Sequence, residues 1–122
     1  MLLVDDEPLM LLLVRAYLES AGLTVIDEAA DGLAGLETYL ALDPPPVPTV
    51  VVLDNRMPGL MGIEVAERIL ALHPTQIVVL FSAALDPAIE AKAHELGVKA
   101  CVAKTDTEKL PGIIRSLIDA AG

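Results

Sequence analysis

Short β-branched runs alternate along the chain with stretches whose apolar residues recur every three to four positions. This alternation predicts βα units stacked on a parallel sheet. The clearest run, Val50-Val51-Val52-Leu53, is apolar throughout, as a strand buried on both faces should be. It stops on Asp54, and Asn55-Arg56-Met57-Pro58-Gly59 turns the chain at once. Strands are predicted over 2–4, 24–28, 49–54, 76–81 and 99–103, the first of them short and reading as clipped.

Helices fill the intervals. The first opens at Glu7-Pro8, with proline tolerated in the first turn, and runs to Ser20. Its apolar face is wider than one packing surface requires, which predicts contact with something beyond its own sheet. Asp31 is placed to cap a second helix that carries Leu33, Leu36 and Leu40 on one face. A third covers about 62–72 and ends at His73-Pro74, and a fourth starts after Asp86-Pro87 and stops at Gly97. The last shows a helical stripe of Leu110, Ile113, Ile114, Leu117 and Ile118. Pro111 disfavours helical geometry at Leu110, so an irregular first turn is expected. Residues 43–48, Asp-Pro-Pro-Pro-Val-Pro, predict a stiff extended connection too short to be a domain linker. Five strands and five helices over 1–122 make one α/β domain.

Composition narrows the function classes. The chain has 122 residues, enough to bury a real core, and only two Tyr, one Phe and no Trp, so that core must be aliphatic. Eighteen acidic residues against eight basic ones give a net charge of −10, and no basic cluster exists. Direct nucleic-acid binding is therefore not expected. A single cysteine, Cys101, excludes an internal disulfide and fits a reducing compartment. The apolar run from Leu9 to Val14 is far short of the roughly 20 residues a membrane span needs. A cytoplasmic location is expected, with no membrane partner.

The chemistry lies at strand ends. Leu2-Leu3-Val4 closes on Asp5-Asp6 as Val50-Val51-Val52-Leu53 closes on Asp54, and ligands bind at the carboxyl edge of open parallel sheets. Three carboxylates on one edge repel each other unless a cation sits among them. Ser82 and Lys104 follow the fourth and fifth runs. Taken singly, each has a plain explanation. Asp5-Asp6-Glu7 favours a helix dipole, Asp54 caps a turn, Lys104 is a solvated charge and Ser82 a strand-end hydroxyl. Their joint placement is what makes the pattern specific. His73 and His94 lack partners at metal-ligand spacing and are expected on the surface, while Met57 and Met61 are expected to pack.

Val4-Asp5-Asp6-Glu7-Pro8, Leu53-Asp54-Asn55-Arg56-Met57-Pro58 with Gly62, Phe81-Ser82-Ala83 and Lys104 together resemble the receiver domain of two-component response regulators, the CheY-like family. The resemblance covers essentially the whole chain. It implies a doubly wound sheet of order 2-1-3-4-5 with the site at the switch point between strands one and three. It implies that Asp54 is the phosphoacceptor and that Asp6 and Asp54 hold Mg²⁺ directly. Asp5 would act largely through water, and Arg56 through its backbone carbonyl. Lys104, the Ser82 hydroxyl and the Ala83 amide would bind the phosphoryl oxygens. The implied partners are a histidine kinase or phosphotransfer protein as donor, an effector protein or attached output domain, and a homodimer through the face of helix four, strand five and helix five. The chain would not be an enzyme in the usual sense, although receivers assist their own phosphorylation and hydrolysis.

Three departures from the family pattern matter. Cys101 stands where many receivers carry a switching aromatic, so the Ser82 loop and helix four, or dimerisation, must carry the signal, with Cys101 itself structural. Lys104 is followed by Thr105 rather than proline, and a cis bond there would cost about 2.5–4 kcal/mol. Arg56 and Ala84 occupy positions that influence the phosphoryl lifetime. Two rival readings share these residues: a pseudo-receiver acting as a constitutive interaction module, and a Mg²⁺-dependent phosphohydrolase. Asp54 and Lys104 weigh against the first. The absence of a second acid two residues after Asp54 weighs against the other. The chain reads either as a stand-alone receiver or as the front of a longer regulator.

Overall fold

The structure, a computed structural model, describes residues 1–42 and 49–121. The predicted extended connection at 43–48 lies outside the described residues. The chain forms β1 (Leu2–Val4), α1 (Pro8–Ser20), β2 (Asp27–Ala29), α2 (Gly32–Ala41), β3 (Val50–Leu53), α3 (Gly62–Leu72), β4 (Ile77–Ser82), α4 (Pro87–Leu96), β5 (Ala100–Ala103) and α5 (Leu110–Ala121). A 3₁₀ turn, Lys104–Lys109, leads into α5. All strand pairs are parallel and the sheet order is β2-β1-β3-β4-β5. The order reverses between β1 and β3, as the resemblance to receivers implies.

Two aliphatic layers enclose the sheet, because successive strand side chains point to opposite faces. Leu2, Val4, Val51, Leu53, Val78 and Leu80 pack with Leu36 and Tyr39 of α2, Val65 and Ile69 of α3 and Ala93 of α4. Leu3, Val50, Val52, Val79 and Phe81 pack with Val14 and Leu18 of α1 and Leu110 and Ile114 of α5. The central strands β3 and β4 are buried along their whole length, which explains their unbroken apolar runs.

Several expectations need correcting. β2 covers Asp27–Ala29 rather than 24–28. On α2 the buried face is Gly32, Gly35, Leu36 and Tyr39, whereas Leu33 and Leu40 are exposed. The reason is close approach: a Cβ on Gly35 would lie 2.7 Å from a Val4 methyl, so only glycine lets the helix rest on β1. Leu110 is helical (φ −58°, ψ −46°) despite Pro111, and the irregularity lies one turn earlier, in the 3₁₀ run, where Asp106 is non-helical (φ −107°, ψ 30°). His73 is half-buried, its Nδ1 2.8 Å from the Tyr39 hydroxyl, while His94 is exposed as expected. Met57 is buried as expected, whereas Met61 is exposed rather than packed. The wide apolar face of α1 leaves Leu9, Leu12, Leu13 and Tyr17 exposed.

Candidate functional site

Parallel register carries the key residues to one edge. Val4 pairs with Leu53, so the next residue on each strand, Asp5 and Asp54, emerges beside the other. The Asp54 N–H donates to the Val4 carbonyl at 2.8 Å, extending the ladder by one step. Ser82 pairs with Ala103 on β5, which puts Lys104 immediately past the same edge. A slip of one residue in any pair would turn these side chains to the wrong face.

The side chains converge. Lys104 Nζ lies 2.9 Å from Asp5 Oδ2, 3.0 Å from Glu7 Oε1 and 3.3 Å from Asp54 Oδ2. Asp5, Asp6, Glu7 and Asp54 each offer a carboxylate oxygen, and these oxygens lie within 4.8 Å of one another. Four carboxylates thus face one ammonium, which leaves three negative charges uncompensated. Asp5 and Asp54 are buried, whereas Asp6 is half-buried and Glu7 exposed. Burial, reinforced by the Asp5 charge, pushes the Asp54 carboxyl up from 3.8 to about 6 against the opposing pull of Lys104. Burial alone would lower Lys104, but its hydrogen bonds to Asp5 and Glu7 and the charges of Asp5 and Asp54 prevail and hold its pKa well above the ordinary lysine value. The ammonium is shared among three anions, so it is secure while Asp54 is not.

The support is rigid. Gly62 N–H donates to the Asn55 carbonyl at 2.9 Å and Ile63 N–H to Asn55 Oδ1 at 3.0 Å, tying the start of α3 to the residue after Asp54. A Cβ on Gly62 would sit 2.0 Å from the Asp54 carbonyl oxygen, so this contact requires glycine. Asp5 Oδ1 accepts the Glu7 N–H at 2.9 Å, which fixes the Asp5 carboxylate from behind.

Not every predicted residue joins the cluster through a direct contact. Ser82 is buried at the end of β4, and its Oγ accepts the Ala84 N–H at 3.3 Å. Ala83 is exposed just beyond it, and Arg56 is exposed on the loop after Asp54. Cys101 lies inside β5 opposite Leu80, half-buried against the core. Burial, with the Glu90 charge adding to it, pushes its thiol pKa up, so it behaves as a small apolar side chain. Sequence reasoning missed two residues. Asn55 was read only as part of a turn. Glu7 was read only as one of a helix-start trio, and its place beside Asp5-Asp6 was the available signal.

Residues 1–115 match the response regulator receiver domain. The chain belongs to that family. It is 36% identical over 118 residues to the probable transcriptional regulatory protein NarL of Mycobacterium tuberculosis, covering 96% of this chain and 52% of that protein. The receiver thus spans about half the length of this curated relative. The solved receiver domain of the putative response regulator NarL from the same organism superposes with a TM-score of 0.82 at 34% identity, covering 98% of this chain and 93% of that one. A chain of the CheX-CheY-BeF₃-Mg²⁺ complex from Borrelia burgdorferi superposes with a TM-score of 0.88 at 26% identity, covering 95% of this chain and 86% of that one. This receiver is therefore a CheY- and NarL-like domain of two-component systems. Among the described residues no helix is long and apolar enough to cross a membrane.

Proposed function

We propose that this receiver, spanning 1–122, accepts a phosphoryl group on Asp54 from a histidine kinase or phosphotransfer protein. The observation that carries the reading is the meeting of Asp5 and Asp54 on Lys104 Nζ, at 2.9 and 3.3 Å, at the carboxyl ends of β1, β3 and β5. An Asp54 oxygen attacks phosphorus, the bond from phosphorus to the donor nitrogen breaks, and the product is an aspartyl phosphate. Two anions must meet in that step, so positive charge has to be concentrated there. Lys104 supplies one unit, being compact and securely protonated. The Ser82 hydroxyl and Ala83 amide then bind phosphoryl oxygens.

The donor set suits a hard divalent cation. It consists of clustered carboxylate oxygens with three charges uncompensated, one of them on a buried Asp54 that resists ionisation alone. Asp5, Asp6 and Asp54, with the Arg56 backbone carbonyl, would hold Mg²⁺. When bound, it supplies neutralisation of charge on the attacking and transferring oxygens. A similar solved chain belongs to a CheX-CheY complex with BeF₃ and Mg²⁺, which supports Mg²⁺ as the cation.

Signal output follows from Lys104 and Ser82. Ser82 ends β4 and Lys104 directly follows β5, so recruiting them to a phosphoryl group shifts the loops leading into α4 and α5. The face of α4, β5 and α5 then binds an effector, an attached output domain or a second copy of the chain. Cys101 contributes packing there rather than a swinging ring. The domain is a switch that assists its own chemistry, and it resides in the cytoplasm.

Acetyl phosphate with Mg²⁺, followed by intact mass, tests the acceptor. The native chain should gain one phosphoryl group and Asp54→Ala none. Labelling of Asp54→Ala to the native level would remove Asp54 from its role.

A further inference from the structure

Lys104 has three N–H donors, and three carboxylates crowd its ammonium: Asp5 at 2.9 Å, Glu7 at 3.0 Å and Asp54 at 3.3 Å. A phosphoryl oxygen must compete with all three for the ammonium. One of the three anions must therefore yield when phosphorus arrives. Asp5 is clamped, since its Oδ1 also accepts the Glu7 N–H and its side chain is 7% exposed. Asp54, once phosphorylated, exchanges its carboxylate charge for the larger charge of the phosphoryl group it carries, so its claim on the ammonium grows rather than lapses. The Glu7 side chain is 59% exposed, and it makes no capping bond at the start of α1, so it can swing into water without leaving a buried group unpaired. Its carboxylate also shares the cluster with Asp54, where a phosphoryl group adds charge of the same sign.

We propose that Glu7 is a displaceable counter-ion of Lys104, holding in the unphosphorylated receiver the ammonium donor that the phosphoryl group takes over. The inference rests on Asp54 being the phosphoacceptor. Glu7 is then a positioning residue. It keeps Lys104 extended over the site before the reaction and competes with the phosphoryl group afterwards, so it sets how readily the switch is thrown.

Beryllofluoride, a phosphoryl mimic, separates this role from chemistry. It is titrated at saturating Mg²⁺ into the native receiver, Glu7→Gln, Lys104→Ala and the double variant, with the Ala83 amide resonance as the signal. Glu7→Gln should bind it about two- to fivefold more tightly, the range expected for loss of one exposed competing ion pair. Labelling by acetyl phosphate should accelerate to a similar degree. In the Lys104→Ala background the Glu7→Gln gain should vanish. Equal or weaker binding by Glu7→Gln would overturn the proposal, as would a gain that persists without Lys104, which would mean a general field effect. Were the native receiver itself to bind no beryllofluoride, the acceptor reading would fail, and Glu7 with it.

Discussion

Asp54 stands where its own charge is penalised, and this has a measurable consequence. Its folded-state pKa of about 6 exceeds the unfolded value of 3.8, so the native state binds more protons between these values. Stability from this group therefore falls as pH rises through that window, the reverse of the usual salt-bridged aspartate. The full cost, about 3 kcal/mol, applies above the window and is absent below it. Asp54→Asn, nearly isosteric and neutral, should be more stable than the native chain at pH 7.5 by about 1–3 kcal/mol and equal to it below about pH 3. Urea unfolding without divalent cations would measure the difference, and equal stability at pH 7.5 would contradict the buried-charge account. Asp54, Asp5, Asp6 and Lys104 were legible in the sequence because each directly follows a strand run, and a strand end is a one-dimensional signal. Glu7's hold on Lys104, 97 residues away, was not.

The turn between β3 and α3 shows how an element can depend on one atom. Gly62 lies against the Asp54 carbonyl, and the helix behind it is anchored by Asn55 and by the Met61 N–H donating to Glu64 Oε1 at 3.1 Å. Gly62→Ala should cost about 1–3 kcal/mol by forcing the turn away from β3. It should also slow labelling by acetyl phosphate, because Asp54 would move with its carbonyl. Thermal melts together with intact-mass time courses would check both effects, and a variant matching the native chain in each would show that the turn adapts freely. Helix limits were legible where they have caps: Asp31 accepts from the Ala34 N–H at 2.7 Å, Asp86 from the Ile89 N–H at 2.9 Å, and Gly97 closes α4 with φ +96°. β2 was misplaced because the apolar run Thr24-Val25-Ile26 looks more strand-like than Asp27-Glu28-Ala29. At a sheet edge, pairing with β1 outweighs intrinsic preference.

Across the whole receiver, ligand binding at the acidic edge should couple to stability and output. Mg²⁺ at about 100 times its Kd should stabilise the native chain by about 2.7 kcal/mol. Lys104→Ala should keep metal binding, since every carboxylate remains, yet lose most of the phosphorylation-dependent change in self-association or partner affinity. Sedimentation with and without acetyl phosphate would test this, and a native-sized shift in Lys104→Ala would break the proposed coupling. The phosphohydrolase and pseudo-receiver readings divide on the same measurements, through turnover of small phosphate esters and through labelling of Asp54.

Periodicity, turn chemistry and strand-end polarity were enough to specify a parallel α/β sheet with its acidic residues on the carboxyl edge, because these are local properties of backbone and side chain. Which helix face would be buried, how Gly35 and Gly62 bring backbones together, and how one ammonium is divided among three carboxylates are distances between segments remote in the chain. Those distances exist only once the layers have packed, when excluded volume and charge must be satisfied together.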